Sequence, residues 1–282
     1  MSIIINDISD YSKLYELLND TIVDERCVRI KITLGFINPH DVLIISQFAI
    51  LTKRLKPNIV LDCIESSQKL TQYLRDIGLM NFLKGNYIQP KTIKFIDKQT
   101  AMPIRRVEQS SIEEYVVETL RYIGNICIGK DLSVLSVGIK ESINNVYDHS
   151  NSIIGAYVFC QYYPKKRTIR ICVADSGVGI PAVVRKSKPG LSDDECLKWA
   201  LIGKNTTQSL PSNAGMGLTI IKDFTVATRG KLMIVSGSSN YSLVDGKEKY
   251  SKNNIKHFKG TLIEMDIKVD ELEDDIESFA SF

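Results

Sequence analysis

The chain has 282 residues, 44% of them hydrophobic, which is enough for one large or two ordinary domains with a buried core. Its formal net charge of +3 is small, and because both signs are spread along the sequence there is no electrostatic signal for a nucleic-acid or membrane partner. The six cysteines lie far apart without a CxxC pair, which excludes the common zinc and redox motifs.

The cysteines and the N-terminus together favour a cytoplasmic protein. Widely spaced cysteines inside apolar runs are typical of buried free thiols in a reducing compartment. The first residues show no basic stretch followed by a long apolar one, and no apolar run reaches the roughly 20 residues that a membrane-spanning helix needs. We therefore expect neither secretion nor a membrane anchor.

Strand and helix patterns alternate in the N-terminal part of the chain. In chain order, the predicted elements are a strand over Cys27–Ile32, a helix over Pro39–Leu55, a strand over residues 58–64, a helix over residues 66–83 and a third strand over residues 92–96. Pro39 suits the first turn of its helix. A polar, proline-containing stretch over residues 97–103 then marks a predicted domain boundary.

The remaining sequence predicts a second α/β unit with a long cover segment. A Ser-x-x-Glu capping box starts a helix near Ser110 or Ser111 that runs to about Cys127, and Asp131 caps the next helix. The elements that follow are a strand hairpin over residues 154–163 and 168–175, a mobile cover over residues 180–214 with one helical stretch at residues 196–201, a helix after Gly217, and strands over residues 231–235 and 261–267 joined by a polar loop through Asp245-Gly246. The acidic tail, residues 270–282, is expected to fray.

The predicted helix after Asp131 carries a polar stripe. Glu141, Asn144 or Asn145, and Asp148 project from one side because residues three, four and seven apart are neighbours on a helix. An amide oxygen such as that of Asn145 suits Mg²⁺, which takes hard oxygen ligands completed by phosphates and water. Glu141 is placed to activate a water that attacks a terminal phosphate, and His149 either lines the same pocket or caps the helix C-terminus. A solvated helix face is the alternative interpretation of such a stripe.

Asp175 ends an apolar strand and is followed by Gly177 and Gly179. A carboxylate at a strand end accepts a hydrogen bond from an exocyclic amine such as that of adenine, and the glycines allow close approach of the backbone to a ligand. A simple turn has the same composition. Residues 177–182 also fit the dinucleotide fingerprint Gly-x-Gly-x-x-Ala, against which Pro181 and the lack of a clear following helix count.

Small residues precede the last predicted helix. They let backbone amides approach a phosphate at the positive end of the helix dipole, although a flexible hinge looks the same. These residues are Gly215, Met216, Gly217 and Leu218. The upstream candidates for contact with a terminal phosphate, which are equally consistent with ordinary loop residues, are Lys204, Thr206 and Thr207. A P-loop is excluded because Asn205 follows the lysine and the upstream glycine is missing.

In order and spacing these motifs resemble those of the GHKL superfamily, the Bergerat-fold ATPases that include DNA gyrase B subunits, heat-shock chaperones, sensor histidine kinases and anti-sigma serine kinases. Residues 140–149 resemble the N box and residues 175–179 the G1 box. Residues 213–218 are similar to the G2 box, with Asn213 in place of its first glycine, and Gly260-Thr261 resembles the last, strand-borne element. The resemblance covers residues 105–268.

This resemblance implies ATP and Mg²⁺ as ligands of the chain. Asn145 would be the metal ligand, Glu141 the general base, Asp175 the residue that recognises adenine, and Thr261 a neighbour of the adenine ring. The family pocket lies between a mixed sheet and its helices, under a lid that would here be residues 180–214. Ordering of that lid on the terminal phosphate would act as the switch.

A second resemblance covers the N-terminal part. Residues 36–42, 58–64 and 71–79 look like a STAS-type domain, the fold of anti-sigma antagonists. Such domains are often phosphorylated on a serine at the start of their first long helix, where Pro39 and His40 stand here. His40-Asp41 also has some similarity to a histidine-kinase acceptor, but Ile45 replaces the proline of that motif, so we interpret His40 as a helix-start residue.

The predicted fold class is therefore α/β. Residues 1–102 would form a small STAS-like domain, residues 103–269 a Bergerat-fold sandwich with a mixed sheet and helices on one face, and residues 270–282 an acidic tail. The predicted function is that of a Mg-ATP-binding regulator that hydrolyses ATP slowly, with lid closure controlling a protein partner bound through the STAS-like domain; dimerisation is compatible with it. The alternatives are an anti-sigma-type protein kinase and a nucleotide-sensing interaction module without turnover.

Overall fold

The computed structural model describes residues 2–5, 27–32, 37–65, 67–85, 100–202, 217–252 and 257–275. The elements up to residue 85 are β1 (Ser2–Ile5), β2 (Cys27–Ile32), α1 (Pro39–Leu55), β3 (Val60–Glu65), α2 (Gln68–Asp76) and α3 (Leu79–Leu83). The later elements are β4 (Arg105–Val107), α4 (Ile112–Gly124), α5 (Ser133–Asn145), β5 (Ala156–Tyr163), β6 (Thr168–Ala174), α6 (Gly179–Val184), α7 (Asp193–Ala200), α8 (Gly217–Ala227), β7 (Lys231–Gly237), β8 (Ser239–Val244), β9 (Lys247–Lys252) and β10 (Phe258–Lys268).

The described strands form two sheets. The smaller is a parallel sheet in the order β1-β2-β3, and the larger has seven strands in the order β4-β5-β6-β10-β7-β8-β9. With helices packed on the larger sheet, the α/β sandwich expected from the sequence is confirmed as a class. The sheet differs from the expected mixed one because all six of its strand pairings are antiparallel.

One face of the large sheet is covered by α4, α5 and α8. Apolar side chains at helical spacing, such as Ile123 on α4, Ile139 and Ile143 on α5 and Ile221 on α8, are fully buried against it. The Asp131 side chain accepts a hydrogen bond from the Ser133 amide at 2.8 Å, but Leu132 occupies the N-cap position of α5, so Asp131 lies one residue before the expected cap.

The opposite face of the large sheet is covered by α1. Thirteen of the 17 residues of this helix are buried, because it lies between the N-terminal residues and strands β5 and β6. Its limits agree with the prediction, since an Asn38 capping box and Pro39 fix its start. The two parts of the chain thus share one hydrophobic core on this side. The STAS resemblance of the N-terminal residues stays a prediction.

A buried polar cluster joins the start of α1 to strand β10. His40 Nδ1 lies 2.6 Å from Glu264 Oε2, and His40 Nε2 lies 3.2 Å from Asp41 Oδ1. Burial alone would lower the pKa of His40, but hydrogen bonds to the two carboxylates raise it to about 10. His40 is therefore a charged partner of Glu264 across the interface, which agrees with its interpretation as a helix-start residue.

Three local features differ from the prediction. The helix expected over residues 66–83 is divided into α2 and α3 at Gly78, whose φ is +86°. The polar loop expected after β7 contains the hairpin β8–β9, closed by Asp245 and Gly246, which both have positive φ. The strand expected at residues 92–96 lies outside the described residues.

The first half of the expected cover segment is anchored rather than loose. Cys196 and Leu197 of α7 are fully buried, and the Asp193 carboxylate accepts 2.7 Å hydrogen bonds from the amide and the hydroxyl of Ser238. Residues 203–214 lie outside the described part of the chain. The start of the acidic tail is also fixed, since Asp274 pairs with Lys130 at 2.7 Å. Among the described residues, no helix is long and apolar enough to span a membrane.

Candidate functional site

A cleft opens between the helical layer and the large sheet. It is walled by α5 and its C-terminal extension on one side, by β6 and β10 below, and by α6, α7 and the start of α8 at the mouth. The sequence-predicted residues that line it are Glu141, Asn145, Asp175, Gly179, Gly217, Leu218 and Thr261. Residues from four distant stretches of the sequence therefore meet in one concave site, as a small-molecule pocket requires.

Asp175 is buried at the floor of the cleft, where β6 ends. Its Oδ1 accepts a hydrogen bond from the Gly177 amide at 2.6 Å and its Oδ2 one from the Thr261 amide at 3.2 Å. Burial raises the pKa of this carboxyl to about 6, and the backbone hydrogen bonds oppose the shift. The two amides fix the orientation of a carboxylate that retains lone pairs for a ligand donor.

The glycines beside Asp175 allow strands and loops to approach closely. A Cβ on Gly177 would stand 2.0 Å from the Ser150 carbonyl oxygen, and one on Gly260 would stand 2.1 Å from the Asp175 carbonyl oxygen. Gly179 has φ +78°, and its added Cβ would meet the Ser236 hydroxyl at 2.7 Å. These positions exclude side chains, so the loop after β6 depends on its glycines for its shape.

Glu141 and Asn145 face the start of α8. A Cβ built on Gly217 would lie 3.0 Å from Glu141 Oε2 and 3.5 Å from the Asn145 side-chain amide. Burial, with the nearby charge of Asp148, raises the pKa of Glu141. A carboxylate and an amide therefore stand beside a helix N-terminus, where unpaired backbone amides and the helix dipole attract anions.

Asp148 does not line the cleft with Glu141 and Asn145. After Asn145 the helix widens into a π-helical turn over Val146–Ser150. This turn changes the direction in which the side chain of residue 148 projects, compared with a regular α-helix. Asp148 is exposed, and its place on the cleft side is taken by His149 and Ser150. Burial lowers the pKa of His149, which keeps its ring neutral near pH 7.

The oxygen atoms of Asn145 and Glu141 fit a magnesium ion whose remaining coordination positions are filled by phosphates and water. Among the described residues no group of three His, Cys, Asp or Glu side chains is arranged to hold a metal, so a site built from protein carboxylates alone is not present there. Asn145 supplies an amide oxygen and Glu141 a neighbouring carboxylate. Mg²⁺ is commonly held by one or two protein oxygens together with phosphates and water, which this set can provide.

Five of the predicted site residues lie outside the part of the chain that the structure describes, so their position relative to the cleft is not given. These residues are Lys204, Thr206, Thr207, Gly215 and Met216. The dinucleotide interpretation of residues 177–182 is wrong, although α6 does follow the glycines, because β6 is flanked by antiparallel strands β5 and β10 and not by a parallel partner.

The sequence patterns did not identify the apolar wall of the cleft. Val173 and Ile263 line it from the sheet, and Trp199, the single tryptophan of the chain, lines it from α7. Alternation along a strand shows which residues share a face but not which face carries a pocket, so only the glycine motifs pointed to this site.

Comparisons with known proteins give little support to any family. No family model matches the chain, and no curated protein matches it. Among solved structures, the chain is similar to the B-subunit of the DNA gyrase from Myxococcus xanthus, with 8% identity and a TM-score of 0.24 over 58% of this chain. The match spans 44% of that chain, less than half of its length, and a TM-score this low carries no argument about function.

Proposed function

We propose that the chain binds ATP with Mg²⁺ in this cleft and acts as a nucleotide-dependent regulator in the cytoplasm. The observation that carries the proposal is the meeting of Asp175, Asn145 and Gly217 in one cleft, although they come from three separate parts of the sequence. A carboxylate for a purine amine, an amide for a cation and a helix start for phosphates are the three groups that this ligand needs.

In this proposal the adenine lies over the sheet. Its amino group would donate to the Asp175 carboxylate, and the ring would contact Thr261 and the apolar residues Val173 and Ile263. The phosphates point toward the start of α8, where bound Mg²⁺ would neutralise charge on the phosphate oxygens and Asn145 would hold the ion. A pKa of Asp175 near 6 leaves the carboxyl ionised at neutral pH, the form that accepts from an amine.

Glu141 is the proposed general base for slow hydrolysis. Burial raises its pKa, which moves it toward the range in which a carboxylate accepts a proton at neutral pH. It lies beside the start of α8, so the proposed phosphate position is next to it. The product formed from ATP distinguishes the alternatives. Hydrolysis releases free phosphate, a protein kinase activity labels a protein acceptor, and binding without turnover gives no product.

Trp199 gives a direct test of nucleotide binding. Because it is the single tryptophan and lines the cleft, titration with ATP should change its fluorescence saturably, more strongly with Mg²⁺ than without. Asp175→Asn should weaken ATP binding by about tenfold or more, since it removes a charged hydrogen-bond acceptor. GTP should bind poorly to the wild type.

The matched control is Asp223→Asn, which makes the same chemical change on the exposed side of α8 and should leave ATP affinity unaltered. The proposal fails if ATP gives no saturable change, or if both variants bind ATP as the wild type does. Calorimetry on the same proteins checks that the fluorescence change reports binding.

A further inference from the structure

A second cavity lies at the junction of the N-terminal part and the large sheet. It has a volume of about 470 Å³ and is formed by the ends of α1 and α3 together with β4 and the loop before β5. Lys53, Arg54, Lys84 and Arg106 line it. No acidic side chain is among its lining residues in the described part of the chain, so its charge is strongly positive.

Three of the four cations of this junction cavity, Lys53, Arg54 and Arg106, donate to backbone carbonyls. Arg54 Nη1 donates to the Ile153 carbonyl at 2.6 Å, and Arg106 Nε donates to the adjacent Ile154 carbonyl at 2.9 Å. Lys53 Nζ donates to the Ile59 carbonyl at 2.6 Å. Two guanidinium groups therefore hold the carbonyls of one dipeptide, Ile153-Ile154. The remaining N–H groups of Arg54 are available to another acceptor.

Four like charges gathered in this way repel each other. Glu108 lies 3.8 Å from Arg106, and because both side chains are exposed this ion pair compensates the charge of Arg106 only weakly. The floor of the junction cavity is apolar, made of Ile50, Ile154 and Tyr157, whereas Arg54, Lys84 and Arg106 are exposed, so water weakens the repulsion without removing it. An anion with several oxygens would remove this repulsion, and the planar guanidinium matches phosphate oxygens in pairs.

We propose that the junction cavity binds a phosphate dianion, either free phosphate or a phosphomonoester on a side chain. Lys53, Arg54 and Lys84 from the N-terminal part and Arg106 from the sheet would contact its oxygens together. The site is separate from the nucleotide cleft, and the proposal does not depend on the proposed ATP binding.

The junction cavity is connected to the nucleotide cleft by a short loop. The Ser150 carbonyl accepts the Val178 amide at 2.7 Å, and the Ser152 hydroxyl accepts the Ser176 amide at 3.4 Å. Both serines precede Ile153, whose carbonyl holds Arg54. A bound anion that fixes Arg54 and Arg106 therefore also fixes the loop on which the glycine-rich turn after Asp175 rests.

Isoleucine methyl NMR on the full chain tests this site. Ile50 and Ile154 report on the junction cavity, while Ile180 and Ile263 report on the nucleotide cleft. Inorganic phosphate is titrated against chloride at constant ionic strength, since screening alone changes exposed charges. The expected result is a saturable shift of the Ile50 and Ile154 methyls.

Arg54→Gln should weaken this binding about tenfold or more, because it removes one charge-assisted contact. Lys165→Gln is the matched control on the exposed β5–β6 turn and should bind phosphate as the wild type does. Should Arg54→Gln alter the methyl spectrum as a whole, Lys84→Gln, an exposed residue of the same cavity, replaces it.

Titration with phosphoserine separates the two sources of phosphate. Binding of both phosphoserine and inorganic phosphate supports a phosphorylated side chain as the ligand, and binding of inorganic phosphate alone supports the free ion.

The proposal is overturned if the shifts do not saturate, if the variants of the junction cavity bind phosphate as the wild type does, or if only Ile180 and Ile263 respond. A failure of ATP binding leaves these readings unchanged, because they come from a different cavity.

Discussion

The ion pair between His40 and Glu264 predicts how strongly α1 is attached to the large sheet. His40→Gln removes the positive partner and leaves Glu264 buried at the interface. The pKa of His40 rises from 6.5 to about 10, and at 1.36 kcal/mol per pKa unit this corresponds to about 5 kcal/mol at most. Arg170 Nε stands 3.5 Å from Glu264 Oε1 and keeps part of the compensation. We therefore expect a loss of about 3 kcal/mol in the free energy of unfolding.

The pH dependence of that loss follows from the sign of the shift. The pKa of His40 is higher in the folded than in the unfolded chain, so its stabilisation is fully present below about pH 6.5 and is lost as the pH rises through about 10. The difference between wild type and His40→Gln in urea denaturation should therefore shrink from pH 6.5 to pH 10. Trp199 fluorescence and far-UV circular dichroism must give coincident transitions for these free energies to be defined.

A double-mutant cycle with Glu264→Gln separates the pair from its surroundings. The double variant should lose clearly less than the sum of the two single variants. His257→Gln is the matched control, since His257 is exposed, and it should change stability by less than about 0.5 kcal/mol. Additive single losses, or a His40→Gln loss that is constant from pH 6.5 to pH 10, would show that no ion pair contributes here.

Three further predictions concern the cleft and the core. Gly260→Ala should lower the melting temperature far more than Gly190→Ala. Both glycines have positive φ, but only at Gly260 would the new Cβ collide with another atom, the Asp175 carbonyl oxygen at 2.1 Å. Equal losses of melting temperature in the two variants would contradict this reason. Glu141→Gln should reduce ATP hydrolysis by about a hundredfold or more while ATP affinity is kept, and unchanged phosphate release would remove Glu141 from the mechanism. The five cysteines whose side-chain burial is described are buried, so in a Cys27→Ser variant Ellman's reagent should find no fast-reacting thiol until denaturant is added.

Local sequence signals predicted the elements whose limits are set by local chemistry. The start of α1 agrees because a capping box and Pro39 act within one turn. The β8–β9 hairpin was missed although Asp245-Gly246 is a strong turn signal, because the flanking residues are too polar to show an apolar alternation. Burial of both sides of α1 was also missed, although residues 42–51 are mostly apolar around the whole helix, which is typical of a buried helix.

The candidate site was predictable where backbone geometry requires a particular residue. Gly177 and Gly260 are needed because a Cβ would collide with backbone atoms, and such positions are visible as glycine motifs. Asp148 was misplaced because a single π-helical turn breaks the periodicity from which its direction was inferred. Trp199 was not assigned to the cleft because its contribution depends on how α7 folds back over the sheet, which is a tertiary contact.

The position of α1 against the large sheet has a consequence for any attempt to dissect the chain. A fragment cut after residue 102 would keep every described residue of the cleft but would expose Tyr157 and Phe159 of β5, which are buried in one cluster with residues of that helix. An uncovered aromatic surface of this kind promotes aggregation. Neither half can therefore be transplanted into another protein without redesign of the layer between them.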